Sequence, residues 1–261
     1  MPYIYAHYRF GVAMLPALPG DVRRTIGRFR RLFDVGLHGP DIFMYNPLLR
    51  KGSGESPAQK YHKQSGKDFF QRVCRVARLE KSEAAQAYIY GVLCHYALDA
   101  ACHPFILEQE ALGPAKHLEI EAEFDRFLLD LDGKRPPESQ DLSPHLRLTP
   151  GECETVAKFY PGITARGVEL SIANMARCTK LMAAPEGARR TVLRKSLETL
   201  VPGISGLLMT VGPNPRCVNL DKPLLELYDR AAEEFPELLV QMQAQLTYNG
   251  LLGEEFARQF G

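Results

Sequence analysis

Apolar residues recur at steps of three and four along most of the chain, and strict alternation is almost absent, so the pattern predicts helices and no sheet. Residues 21–33 carry Val22, Ile26, Phe29, Leu32 and Phe33 at helical spacing, with Asp21 placed to cap them. A Pro/Gly-rich interval over 36–57 reads as irregular, and the helical pattern resumes over 58–77. Ser82 is a good N-cap for the next helix, which Pro104 should stop at His103. A helix over 114–131 follows, then a polar, proline-rich connector over 136–150.

Further helices are expected over 150–159, 163–182 and 188–201. The last, over 224–246, has its stripe at Leu224, Tyr228, Ala231, Phe235, Leu238 and Met242, with a kink or restart at Pro236. The expectation is an all-α protein, a multi-helix bundle forming a single helical domain over residues 1–261. Helices of residues 150–261 would complete the core around whatever residues 7–121 carry.

Composition narrows the function classes. The chain has 261 residues, enough to bury a sizeable core, and a formal charge of +1, which gives no bulk electrostatic reason to expect a nucleic-acid partner. No stretch approaches the roughly 20 apolar residues of a transmembrane span. The six cysteines are scattered without a CxxC pair, and the N-terminus lacks a basic segment leading into an apolar run. Reduced, buried thiols and a cytoplasmic location are the expectation.

The histidines carry the chemistry. In Gly91-Val-Leu-Cys-His-Tyr-Ala-Leu-Asp-Ala-Ala-Cys-His-Pro104, the residues His95, Asp99 and His103 fall at i, i+4 and i+8, a ridge of ligand-type side chains on one helical stripe. His117 and Glu121 repeat the i, i+4 arrangement on the next helix. An apolar helix gains nothing from such a ridge unless something neutralises it. Nitrogen and carboxylate donors without thiolate suit zinc or another first-row divalent ion in a catalytic setting. Cys94 and Cys102 lie about 100° off the stripe. Upstream candidates are His7, Asp41 in Leu37-His-Gly-Pro-Asp-Ile-Phe, and His62.

The run Gly-Pro-Asp, an isolated His, Gly-x3-His-x3-Asp-x3-His-Pro and His-x3-Glu resembles the zinc-dependent phospholipase C family, which is related to the S1/P1-type nucleases. The resemblance covers about residues 7–121. It implies a mainly helical protein whose zinc ions cleave phosphate esters by in-line attack of a metal-activated water at phosphorus. Carried over, Asp41, His62, His95 and Asp99 would hold one zinc, and His103, His117 and Glu121 a second. Asp99 would bridge toward a third, with His7 as its other side-chain ligand. Secreted members complete that third site with an N-terminal Trp, and this chain contains no Trp; two or three ions are expected. Asp41 is the candidate for combined ligand and proton acceptor.

Around these, His38 is a candidate for touching substrate or a ligand, and Asp125 for orienting an imidazole. Glu119 and Glu123 are expected in solvent, and His145 at the surface. The substrate would be a soluble phosphodiester or a phospholipid. A nuclease is one alternative, for which the arginines at 23, 24, 28, 30 and 31 would supply the basic surface. A non-catalytic, metal-stabilised helical binding domain is another.

Overall fold

The computed structural model describes residues 4–49, 56–200 and 204–260. Among them the chain forms helices joined by turns and short 3-10 segments, with no strand. Two helices precede the irregular interval as one segment was expected to: α2 (Gly20–Arg28) and α3 (Arg30–Gly36), broken at Phe29, after a first helix α1 (Ile4–Met14). Pro19, not Asp21, occupies the α2 cap position, and Asp21 lies in its first turn. Gly39–Tyr45 is a 3-10 segment. The expected 58–77 helix is also two, α4 (Pro57–His62) and α5 (Gly66–Glu80), because Ser65 caps a new start by accepting from Asp68 N at 3.1 Å.

The central element is α6 (Glu83–Leu112), started by the Ser82 hydroxyl accepting from Ala85 N. Every residue from Ala87 to Asp99 is buried, so this helix is enclosed on all sides rather than amphipathic. It runs through Pro104 where a stop was expected. The proline sits on the exposed face, and the helix beyond the ridge buries Cys102, His103 and Ile106. A mid-helix proline costs about 3 kcal/mol, and burying even one large aliphatic side chain returns most of that.

Around α6 pack α1, α2, α3, α5, α7 (His117–Leu131), α8 (Pro150–Ala157) and α11 (Asp221–Tyr248); α9 (Ala165–Met182) covers α8, and α10 is Ala188–Leu200. The expected α11 stripe is buried throughout, and the helix continues past Pro236, again on an exposed position, without restarting. One hydrophobic cluster extends from Ile4 to Phe260. α3 and α6 approach closely: a Cβ on Gly36 would lie 2.5 Å from Tyr88 O, and one on Gly91 2.3 Å from Phe33 O. Backbone thus meets backbone there, which fixes the segment after α3 against the His95 turn of α6.

Candidate metal centre

Five elements deliver donors to one buried place. α1 brings His7, the 3-10 segment brings Asp41, α4 ends on His62, α6 contributes His95, Asp99 and His103, and α7 opens with His117 and Glu121. Gly39 sets the Asp41 segment. Its φ of +46° suits glycine, and a Cβ there would lie 2.4 Å from His95 Cδ2.

Asp99, fully buried, sits between the others. Its Oδ1 faces His7 Nε2 at 3.3 Å and His103 Nδ1 at 3.7 Å; its Oδ2 faces His95 Nε2 at 3.2 Å and His62 Nε2 at 3.6 Å. His62 Nε2 is also 2.9 Å from Asp41 Oδ1. Donor atoms of His7, Asp41, His95 and Asp99 lie within 4.8 Å of one another, and so do those of His103, His117 and Glu121. The expected ridge is therefore real. Seven of the eight sequence candidates fall into these two neighbouring groups, and the eighth, His62, adjoins the first through Asp41 and Asp99. His7 joins the first group rather than standing apart from it.

These contacts are close without being hydrogen bonds. Both ring nitrogens of His7 and His95, both oxygens of Asp99, Asp41 Oδ1 and His62 Nε2 are buried with no hydrogen-bond partner. Leaving one such group unsatisfied costs about 1–3 kcal/mol, and here they cluster. The His62 Nδ1 lies 2.7 Å from Ala58 O, an arrangement in which Nδ1–H donates and the Nε2 lone pair points at the carboxylates. Lone pair facing lone pair in a dry interior calls for positive charge between them, and several imidazoles converging on one carboxylate suit a metal ion. Two ligands of a tetrahedral zinc ion are separated by about 3.4 Å, close to the separations around Asp99. The residues fit the metal.

Electrostatics agree with the geometry. Burial drives His95 down to about 4, so this imidazole is neutral with its lone pair available near pH 7. Burial also pulls down on His62, but Asp41 beside it prevails and raises it to about 10, so a bound cation would take the place of a proton that His62 otherwise holds toward Asp41. Burial alone would raise Asp41 and Asp99; the surrounding imidazoles overturn that and keep both ionised. In the second group His117 Nε2 is 2.8 Å from Glu121 Oε1, and the His103 and His117 rings are 4.9 Å apart.

Three expectations are corrected. Asp125 orients no imidazole: its two oxygens accept the backbone N–H groups of Tyr5 and Ala6, each at 2.7 Å, because the start of α1 needs an acceptor. Asp132, seven residues on and so on the same face of α7, takes Tyr5 Oη at 2.7 Å and Arg9 Nε at 2.8 Å. Together they dock the helix that carries His7. Second, His145 is half-buried rather than set out at the surface. Its Nε2 is 2.7 Å from His38 Nε2, and its ring stacks on Tyr8 at 4.3 Å. His38 in turn stands edge-on to His7 at 6.3 Å, so it touches a donor rather than acting as one. Third, Glu123 is buried, paired with Arg126 at 2.7 Å and accepting from Asn214 N at 3.0 Å, while Glu119 pairs with Arg216. Nothing near 145 in the sequence signals its contact, and α1, which no expectation covered, buries Ile4, Tyr5, Ala6 and Phe10.

Fold and donor set define a helical protein with two neighbouring groups of buried donors that could hold metal ions. The sequence pattern of the zinc-dependent phospholipase C family matches residues 6–158, more than half of the chain, and the protein belongs to that family. This places it among metal-dependent phosphoesterases, with zinc as the family's metal. Searches of curated proteins and of solved structures give no match. No helix among the described residues is long and apolar enough to cross a membrane. The arginines considered for nucleic acid are largely committed elsewhere: Arg28 to Glu83, Arg30 to Asp34 and Arg31 to Glu152.

Proposed function

We propose that the protein hydrolyses phosphate esters, a phospholipid or a soluble phosphodiester, with two or three zinc ions held by His7, Asp41, His62, His95, Asp99, His103, His117 and Glu121. The observation that carries this reading is the set of buried, unpartnered donor atoms converging on Asp99. His62, Asp41, His95 and Asp99 supply one site; His103, His117 and Glu121 supply another. Asp99 presents one oxygen to His7 and His103 and the other to His95 and His62, the posture of a bridge.

Zinc bound there supplies an activated water and neutralises charge that builds on the phosphoryl oxygens. The chain supplies the rest. The Ala58 carbonyl holds the His62 tautomer, and Asp125 and Asp132 keep α1 and its His7 docked. Asp41, on the rigid segment set by Gly39, is placed to hold a metal and to take the proton of the attacking water. The chain acts as one unit, helices beyond residue 150 closing the core behind the donors.

The test is metal analysis of purified protein together with hydrolysis of a chromogenic phosphocholine ester and of single-stranded nucleic acid. The expected result is two or three zinc ions per chain and cleavage of the choline ester, with His95→Ala losing metal and activity together. Protein that takes up no added zinc, or a His95→Ala variant that keeps full zinc content, overturns the reading. Cleavage confined to nucleic acid turns it to the nuclease alternative.

A further inference from the structure

On a face that the donor groups do not use, α5 lays Arg72, Arg75 and Arg78 along a groove of about 520 Å³ whose other wall is the end of α11 and the turn after it, ending on Leu251. Asp68 is the single acid among the residues lining it. Arg72 and Arg78 are half-buried in the wall of the groove. Arg78 is steadied by Gln245 O and by Asn249 Oδ1 at 2.7 Å, neither of which carries charge. Arg72 lies over the rings of Tyr61 and Phe69 at 5.5 and 5.2 Å, its Nη1 donates to Gln64 Oε1 at 3.3 Å, and its Nε and Nη2 are buried, so it stiffens the wall of the groove rather than facing solvent. Arg75 is exposed.

Exposed apolar side chains lie in and beside this basic groove. Leu251 is 90% exposed, Leu79 78% and Tyr248 73%. Leu79 shares a helix face with Arg72 and Arg75, and Tyr248 and Leu251 flank the opposite wall. Large exposed side chains grouped around cations lose nothing to a free anion and gain nothing from one. A bilayer surface rewards both features at once: anionic headgroups meet the arginines, and the leucines and tyrosine enter the boundary between headgroup and acyl chain.

We infer that the face formed by Arg75, Arg78, Leu79, Tyr248 and Leu251 docks the protein onto an anionic phospholipid bilayer. As an account of how the protein meets its substrate this rests on the phospholipid half of the function proposed above; as a statement about adsorption it does not. Each arginine at an anionic surface is worth roughly fivefold in partitioning, so charge reversal at Arg75 counts twice.

The experiment is co-sedimentation of the full chain, in a short incubation, with vesicles of phosphatidylcholine alone or with about a third phosphatidylglycerol. The protein is expected to partition at least tenfold better onto the anionic vesicles, and less well as salt is raised. Arg75→Glu should weaken that partitioning roughly tenfold or more, and Leu251→Ser several-fold, with hydrolysis of a soluble chromogenic ester unchanged in both. Equal partitioning onto neutral and anionic vesicles, indifference to both substitutions, or release by millimolar inorganic phosphate at constant ionic strength overturns the inference, the last in favour of a small-anion site. A protein that adsorbs but cleaves no phosphate ester overturns the proposed function alone; one that cleaves soluble esters but ignores vesicles overturns this inference alone.

Discussion

The group formed by His7, Asp41, His62, His95 and Asp99 and the group formed by His103, His117 and Glu121 share one ridge of α6, yet they are assembled by different means. The first draws on four separated segments and lies wholly inside the protein, with Asp99 and His95 at zero exposure. The second comes from two consecutive helices and relies on i, i+4 spacing, with the His117 side chain still 19% exposed. The inner group is thus a product of tertiary packing and should be rigid and intolerant of change. The rim group is a product of local helix geometry and should tolerate more.

Asp99 touches both groups, so its replacement has the largest expected effect. Asp99→Asn keeps the shape but removes the charge that offsets the cations on both sides. Activity should fall by about two to three orders of magnitude or more, and zinc content should drop by more than one ion per chain. His117→Ala should cost one ion and leave thermal stability nearly unchanged. Metal analysis of the two variants side by side decides the matter: equal losses would mean that the groups do not behave as separate sites.

Gly39→Ala attacks the inner group through its backbone. The new Cβ meets the His95 ring and the residue must hold a φ of +46°, a strain of about 1–3 kcal/mol. A drop of several degrees in Tm is expected, with weakened zinc binding at the inner group while the rim ion is retained. Loss of the rim ion instead would show that the two groups are mechanically coupled.

The same contrast explains what could be read from the sequence. His95, Asp99, His103, His117 and Glu121 were visible because helical spacing places them by local geometry. His7, Asp41 and His62 were candidates by residue type alone, and only the resemblance to a family assigned them to sites, since no periodicity ties residues so far apart. What could not be read was set by contacts between distant segments: Asp125 reaching Tyr5 N, and His145 reaching His38 Nε2. On the fold side, the stripe of α11 was legible residue by residue, but Pro104 was misread because its steric penalty is local and the burial that outweighs it is not.

Asp125→Ala probes the docking of α1. It strips the acceptor from two backbone N–H groups at a helix start, a loss of about 1–2 kcal/mol, and loosens the helix that carries His7. Zinc affinity should weaken by about 10–100-fold, as for other groups that support ligands without touching the metal. Unfolding curves and chelator competition measure the two effects. A stability loss with unchanged zinc affinity would mean that His7 does not depend on this anchor.

The smallest effect comes from Asp221, which belongs to neither group and so gives a baseline for what burial of a carboxylate does without a metal. It is 4% exposed in the first turn of α11; burial, with Glu123 adding to it and Arg126 opposing, pushes its pKa up to about 7. Between the unfolded value near 4 and about 7 the folded state binds the extra proton, so stability falls as pH rises through that window and the full penalty is present above it. Asp221→Asn removes the titration. The variant should therefore be the more stable at pH 8, with the advantage shrinking as pH is lowered and gone by about pH 4. Denaturant unfolding across that range measures it. A wild type more stable than Asp221→Asn at pH 8 would mean that the α11 N-terminus and Arg126 outweigh burial there. A carboxylate without a metal would then be held ionised by dipoles and one cation alone, and the ionisation of Asp41 and Asp99 would no longer set the inner donor group apart.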